Sequence, residues 1–413
     1  MTSVEPKPSS KSLFHRAEDA AAGALMRGFD ALTLRTFAVH QAALLRIGYG
    51  LVFLVTLLRE YLNRREIWGD ESAWSPAMAR ELLANIDGRS LLLASDERWW
   101  FELVYVLAIV VSALFVLGWH TRAVSVMFAV MVVSFNSRSI LMTDGGDTVL
   151  LLMSIYLAFT ACGRVWSLDA RRAARTGAGP GTGPGNEIGV LIALVAAITL
   201  AIGAHWSWGL GAVVVLGGLW QLPRPAEQVR QVLVNVTHNC ALVVIAFEVC
   251  VIYAAAGMYK VQGSYWQDGT AMHYVMDLEY FSPWPGLSAM LADGSAMGVF
   301  ISYLTVFVQI GFVFLVFAKR VKYVAIVVLL GMHLGIAILL GLPAFSAAMS
   351  IGDALFLPTA FLLWTRRQAG GVLARRTRDE PAPSPAPPAE PEPPRAAIPT
   401  QGKALDGTAH AEV

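Results

Sequence analysis

"MGVFISYLTVFVQIGFVFLVFA", residues 297–318, contains no acidic or basic residue. A helix of about 20 apolar residues is long enough to cross the hydrocarbon core of a bilayer. A second stretch, Leu103–Trp119, is likewise free of formal charge and is rich in leucine and valine. Uncharged runs of this length predict transmembrane helices, and they decide the class of the fold.

The composition of the whole chain supports the same class. Of its 413 residues, 56% are hydrophobic and 15% are charged, whereas a soluble domain carries roughly 25% charged residues. The mean hydropathy is +0.55. We therefore predict an all-α, polytopic transmembrane helical bundle in the cell (plasma) membrane, with the lipid bilayer as its partner. The net charge of +1 does not indicate nucleic-acid binding, and the three cysteines lack metal-binding spacing.

The apolar runs predict ten spans, of which eight form a core and two form an inserted helical pair. The inserted pair, residues 187–222, is either two spans or one reentrant hairpin, because His205, Trp206 and Trp208 mark its tip. The predicted spans are residues 42–61, 99–119, 121–141, 147–163, 187–204, 206–222, 238–260, 296–318, 323–343 and 346–364.

Three segments flank or interrupt the predicted transmembrane domain, residues 41–364. In the tail formed by residues 1–40, the stretch 13–37 has the spacing of an amphipathic helix on the membrane surface. The glycine-rich stretch "RTGAGPGTGPG", residues 175–185, predicts a flexible linker. Residues 365–413 are rich in proline and alanine and are predicted to be disordered.

The distribution of basic residues predicts that both termini are cytoplasmic, because lysine and arginine are enriched in cytoplasmic loops. The short loops 203–207 and 343–346 contain neither residue, so they are assigned to the outside. The loops assigned to the cytoplasm do contain basic residues, among them Arg122, Arg164, Arg224 and Lys319.

Ionisable residues inside a span are costly and need a partner or a cavity. Glu248 and His333 fall near the middle of the seventh and ninth predicted spans. They therefore serve either as a buried, hydrogen-bonded structural feature or as a route for protons or substrate. Arg138 falls near the outer end of the third span, where Asp144 or Asp147 could form an ion pair with it.

Lys260 ends the apolar run of the seventh predicted span, and no other lysine or arginine occurs between Arg230 and Lys319. The predicted topology places it on the non-cytoplasmic face, together with loop 62–98 and the turn at 143–148. A lysine at a helix end commonly extends its amine to the membrane surface. A lysine in apolar surroundings can instead lose its proton and act as a base.

Four motifs occur in an order typical of one family. They are "LLRIGYGLVFL" at 44–54, "GGDTVLLLMSIYLAF" at 145–159 with "SLD" at 167–169, "YAAAGMYKVQGSYWQDGTAMHYVM" at 253–276, and "KRVKYVAIVVLLGMHLGIAILLG" at 319–341. Together they resemble the HTTM family, over about residues 41–364. HTTM is the membrane domain shared by vitamin K-dependent gamma-carboxylases and many bacterial proteins.

The resemblance implies a quinol- or lipid-dependent membrane enzyme. In the carboxylases the lysine that matches Lys260 is the catalytic base, which deprotonates vitamin K hydroquinone on the lumenal side. The ligand implied here is therefore a quinone, in its vitamin K-like hydroquinone form, or a similar lipid. The polar and aromatic residues expected to support the site or bind the substrate are Asp147, Glu248, His333, Tyr265 and Trp266.

The sequence also departs from the carboxylases. Asp147 stands where the animal enzymes have a histidine, and Gln309 stands where an acidic residue is common. The tail has no counterpart of the large extramembrane domain that helps the carboxylases recruit a protein substrate. We therefore expect chemistry on a quinol or lipid more than gamma-carboxylation of a protein.

Two other functions fit the same sequence. A proton-coupled transporter or channel would use Glu248 and His333 near the middle of the membrane, although the chain has no internal repeat of the kind common in transporters. A non-catalytic membrane partner in toxin maturation or immunity is the other alternative, since bacterial HTTM proteins include such members.

Overall fold

The computed structural model describes residues 32–85, 88, 90–177, 227–292 and 296–368, together with residues 26, 28 and 30. Over these residues the chain is all-helical and contains no strand, so the predicted all-α class is confirmed. The predicted inserted pair, residues 187–222, lies outside the described residues. So do most of the N-terminal tail, most of the linker, and the C-terminal tail beyond residue 368.

The chain divides into two units, Met1–Leu363 and Trp364–Val413, and only residues 364–368 of the second unit are described.

Two short helices, Arg64–Ile67 and Ser264–Gln267, lie in the connections between longer helices. The longer described helices are α1 (Val39–Arg59), α2 (Pro76–Ala84), α3 (Arg98–Leu117), α4 (Thr121–Arg138), α5 (Gly145–Ala158), α6 (Leu168–Thr176), α7 (Glu227–Gln262), α8 (Ala271–Met276), α9 (Pro285–Ala292), α10 (Ala296–Leu315), α11 (Val321–Leu339), α12 (Pro343–Asp353) and α13 (Thr359–Gln368).

Five of the described helices are long and apolar enough to cross a membrane, namely α1, α3, α7, α10 and α11. A sixth span results if Pro343–Phe356 and α13 are counted together, although they are bent by 119° relative to each other. α5 is apolar but shorter, and α4 is helical without being one of the five. These helices fit a membrane protein, while the count of eight core spans and the cytoplasmic termini stay predictions.

α12 is the helix that joins the parts of the bundle, because it contacts α1, α5, α7 and α11. Its contact with α1 depends on a glycine: a Cβ at Gly48 would lie 2.8 Å from side-chain atoms of Ile351. Gly50, half a turn further along α1, similarly leaves room for Val116 of α3. Small residues of this kind let membrane helices approach closely, and here they place α1 between α3 and α12.

We predict that Gly48→Val separates α1 from α12 and lowers the free energy of unfolding by about 1–3 kcal/mol, the usual cost of overpacking a core. Unfolding by detergent titration of the purified protein measures this. The matched control is Gly331→Val, since a Cβ at Gly331 of α11 would meet no atom within 4 Å. Equal loss of stability in both variants would show that the α1–α12 contact is not the cause.

Arg46 of α1 is fully buried and binds backbone carbonyls instead of a carboxylate. Its guanidinium donates to the carbonyl oxygens of Phe115 at 2.7 Å, Val116 at 3.0 Å and Trp166 at 2.6 Å. The last carbonyls of a helix have no partner within that helix, and a positive charge is favourable at a helix C-terminus. Arg46 thus caps α3 from a neighbouring helix.

Asp169 holds the beginning of the next helix. Its carboxylate accepts from the backbone N–H of His120 at 2.9 Å and from that of Thr121 at 2.7 Å. It also accepts from the Thr121 hydroxyl at 2.7 Å. The tight turn between α3 and α4 is therefore bound on one side by Arg46 and on the other by Asp169.

We predict that Arg46→Met removes the guanidinium hydrogen bonds to these carbonyls and lowers the free energy of unfolding by about 3 kcal/mol. The measurement is again a detergent titration. Arg59→Met is the control on the same helix, because the Arg59–Glu60 pair is 2.6 Å long but the arginine side chain is 57% exposed. Exposed pairs contribute little. A full loss in Arg59→Met, or none in Arg46→Met, would contradict the assignment.

The predicted ion pair between Arg138 and Asp144 or Asp147 is wrong. Arg138 is buried and donates to the backbone carbonyls of Gly69 at 2.8 Å and Trp74 at 2.9 Å, so it holds the loop after α1. The two aspartates instead form a capping box at the start of α5. Such a box satisfies N–H groups that the helix itself leaves free.

Candidate functional site

Lys260 lies in the last turn of α7, where its side chain is half-buried. Its Nζ is 3.4 Å from the carbonyl oxygen of Ala256, one turn earlier. It also lies 5.2 Å from the centroid of the Trp266 ring. Lys260 forms no salt bridge with any residue that the structure describes. The amine therefore faces an indole and a backbone carbonyl, without a carboxylate.

Of the two predicted aromatic residues, Trp266 contacts the lysine, and Tyr265 packs against Tyr274. Both belong to the short helix Ser264–Gln267, which follows Gly263. A Cβ at Gly263 would lie 3.1 Å from Cδ1 of Trp266, so the glycine lets the indole fold back towards α7. Tyr265 is half exposed, and its ring lies 4.1 Å from that of Tyr274.

The segment after Lys260 is fastened to α10. The Tyr303 hydroxyl donates to the carbonyl of Gln267 at 2.8 Å, and the Ser302 hydroxyl accepts from the Met272 N–H at 3.3 Å. Within the segment, the Thr270 hydroxyl and N–H donate to Asp268. The side-chain hydrogen bond from Thr270 holds the pKa of the Asp268 carboxyl below its ordinary value.

This lowered pKa predicts a pH-dependent turn. The Asp268–Thr270 hydrogen bonds stabilise the segment at pH values above the ordinary aspartate pKa of about 3.9, and are lost as pH falls through the lower folded-state value. Hydrogen exchange at the Thr270 amide, corrected for its intrinsic rate, should show protection that disappears in acid. Asp268→Asn should remove the pH dependence, whereas Asp277→Asn should keep it; equal behaviour of the two variants would contradict the prediction.

A second polar group lies deeper on the same face of α7. Tyr253 precedes Lys260 by seven residues, which is about two helical turns. The Tyr253 hydroxyl is 2.9 Å from Nε2 of His333 on α11 and 2.9 Å from Oδ2 of Asp353 at the end of α12. The exposed fractions of Tyr253, His333 and Asp353 are 1%, 2% and 0%. We call these three residues the core triad.

Several buried polar atoms around the core triad have no hydrogen-bond partner among the described residues. Buried polar groups are normally hydrogen-bonded, so each of these atoms requires an explanation. Two of these atoms belong to the triad itself, Nδ1 of His333 and Oδ1 of Asp353. The others are the Tyr49 hydroxyl, Oε1 of Gln309 and the Ser346 hydroxyl.

The structure places His333 against Tyr253, about two helical turns from Lys260 along α7, but it places two other predicted residues elsewhere. Asp147 caps α5, where its carboxylate accepts from the backbone N–H of Asp144 at 3.0 Å. Glu248 lies on α7 twelve residues before Lys260, which corresponds to about 18 Å along the helix. Its side chain is partly exposed, and His333 is hydrogen-bonded to Tyr253 rather than to Glu248.

The sequence interpretation missed both Tyr253 and Asp353 as site residues. The signal for Tyr253 was its spacing of seven residues from Lys260, which puts both side chains on one helix face. No group of three or more His, Cys, Asp or Glu side chains suitable for a metal ion occurs in the described part of the chain. No protein-family model, curated protein or solved structure matches this chain.

Proposed function

We propose that this protein is a membrane enzyme of the HTTM type, in which Lys260 is the base that removes a proton from a quinol or a similar hydroxylated lipid. The observation that carries the proposal is the lack of a carboxylate partner for Lys260 among the described residues. Burial without a counter-ion favours the neutral amine of a lysine, which is the form that can accept a proton.

The surroundings of the amine suit a flat, apolar substrate with a polar edge. Trp266 presents its ring beside Nζ, and aromatic rings stack readily on one another in offset geometry. In the proposed step the quinol O–H bond breaks and an N–H bond forms on Nζ. The products are a quinolate, which carries one negative charge, and the Lys260 ammonium, which carries one positive charge.

The resemblance to the gamma-carboxylases supports the same assignment, because the motif around Lys260 matches theirs. As part of the proposal, the chain has eight core spans in the cell membrane and cytoplasmic termini, and Lys260 lies at the non-cytoplasmic surface. The basic loops support this orientation. Gamma-carboxylation of a protein is not part of the proposal.

We predict that Lys260→Met lowers the turnover of a reduced naphthoquinone by roughly 100-fold or more, the usual contribution of a positioned base. The incubation uses the protein in lipid nanodiscs in air-saturated buffer, where dissolved O2 is the oxidant that converts the quinolate to the quinone epoxide with release of water. The quinol and the epoxide are then separated by chromatography. Lys322→Met is a matched control, because Lys322 also lies beside an aromatic ring, 5.1 Å from that of Tyr323.

The control should keep full turnover, and both variants should keep the helix content and elution volume of the unchanged protein. Normal turnover in Lys260→Met would overturn the catalytic assignment. Absence of turnover in the unchanged protein, with every quinol tested, would overturn the proposed function itself.

A further inference from the structure

We propose that the core triad is a proton relay, in which a proton enters at Nδ1 of His333 and is stored on Asp353. The proposal goes beyond the base role of Lys260, since it concerns a separate group of residues deeper in the bundle. It depends on the geometry of the triad and not on the identity of the substrate.

The hydroxyl of Tyr253 is the centre of the relay because it is 2.9 Å from both of its neighbours. A phenol has one proton to donate and lone pairs that accept. It can therefore donate to Asp353 while accepting from His333, or donate to His333 while accepting from Asp353. Both arrangements have the same heavy-atom positions, and they differ only in where the hydrogen atoms lie.

In the first arrangement Asp353 is ionised and Tyr253 donates to its Oδ2. The Nε2–H of His333 donates to the tyrosine oxygen, and Nδ1 carries a lone pair. When a proton binds to Nδ1, the Nε2–H bond breaks and its proton passes to the tyrosine oxygen. The tyrosine O–H bond then breaks and its proton passes to Oδ2 of Asp353.

In the second arrangement all three side chains are neutral. The new carboxylic acid donates to the tyrosine oxygen, the tyrosine donates to Nε2, and His333 carries its hydrogen on Nδ1. One proton has been taken up, and the charge of the triad has changed from −1 to zero by this bookkeeping of bonds. No electron is transferred and no other reactant is needed.

The ends of the chain of hydrogen bonds agree with this role. Nδ1 of His333 and Oδ1 of Asp353 are the buried atoms at its two ends, and neither has a partner among the described residues. A triad that only fastened three helices together would gain from a partner at each end, because an unmet buried group is costly. Atoms at the ends of a relay must instead be free to bind and release a proton.

Among the described residues, charged or titratable groups around the triad lie on α1 and α7. Lys260 lies on the face of α7 that carries Tyr253, about two helical turns further along. Tyr49 of α1 and Cys250 of α7 interact with Asp353. Asp353 is also the last residue of α12, and the helix dipole disfavours a negative charge at that end of a helix. In the proposed enzyme, the Lys260 ammonium is the acid that supplies the proton.

Infrared difference spectroscopy of the full chain in lipid nanodiscs tests the storage of the proton. Spectra at about pH 9 and about pH 6, both above the ordinary Asp and Glu pKa of about 4, should differ by the C=O stretching band of a carboxylic acid. Aspartate labelled with 13C at the side-chain carbonyl should shift this band, and Asp353→Asn should remove it. If no aspartate band that depends on Asp353 changes with pH, the proposal is overturned.

The rate of band formation after a rapid drop in pH tests the relay. Tyr253→Phe removes the central hydroxyl and should slow the band by roughly 100-fold, the usual contribution of a positioned acid–base group. Ser346→Ala is the control, since Ser346 is a buried polar residue of the same helix as Asp353 and outside the triad. An unchanged rate in Tyr253→Phe would overturn the relay.

If Tyr253→Phe does not fold, His333→Gln makes the same test, because an amide cannot pass a proton from one atom to another as imidazole does. An unchanged rate in that variant is equally contrary to the proposal. The outcome is also separable from the enzyme assignment. A titrating Asp353 band without quinol turnover supports the relay and contradicts the proposed function. Quinol turnover without the band supports the proposed function and contradicts the relay.

Discussion

A polar group buried inside this bundle is costly unless the protein supplies a hydrogen-bond partner for it. Arg46 meets this constraint for the turn between α3 and α4. Gly118 ends α3 with a φ of 69°, and a Cβ there would lie 2.3 Å from Nη1 of Arg46. Trp166, which accepts from Arg46, has a φ of 53°, a conformation uncommon for a bulky residue. The hydrogen bonds of Arg46 therefore depend on the absence of a Cβ at Gly118 and on the positive φ of Trp166.

The same constraint shapes the end of α12. After Asp353 the chain continues as a 3₁₀ turn, Ala354–Phe356, and then changes direction towards α13. The side-chain amide of Gln41 donates to the carbonyl of Leu357 at 2.8 Å, so the interrupted backbone has a partner from α1. Non-helical backbone inside a membrane protein is tolerated where the protein supplies such partners. The break allows Asp353 to end a helix in the core while the Leu357 carbonyl keeps a partner.

The all-helical class could be predicted because the length and the lack of charge of the apolar runs are properties of the sequence itself. The role of Asp147 could not, since a carboxylate at the start of a helix serves equally as a cap or as a site residue until its hydrogen bonds are known. Arg138 shows the same limit. Two aspartates lie close to it in sequence, but the folded chain gives it the carbonyls of Gly69 and Trp74.

Lys260 and His333 could be recognised by their charge, whereas Tyr253 is neutral and resembles any other core aromatic. Which groups meet in the core depends on the rotation of α7 against α11 and α12, which hydrophobic periodicity fixes only coarsely. Lys260 and Asp353 differ in how the free-energy cost of a buried charge is lowered. Lys260 is near a helix end and can reach the surface, but Asp353 is 0% exposed. For Asp353, the hydrogen bond from Tyr253 and the uptake of a proton are the two ways to lower that cost. The two hydrogen bonds of the Tyr253 hydroxyl, to His333 and to Asp353, provide both. The hydrogen bonds that hold α7, α11 and α12 together are therefore also the ones that hold the proton.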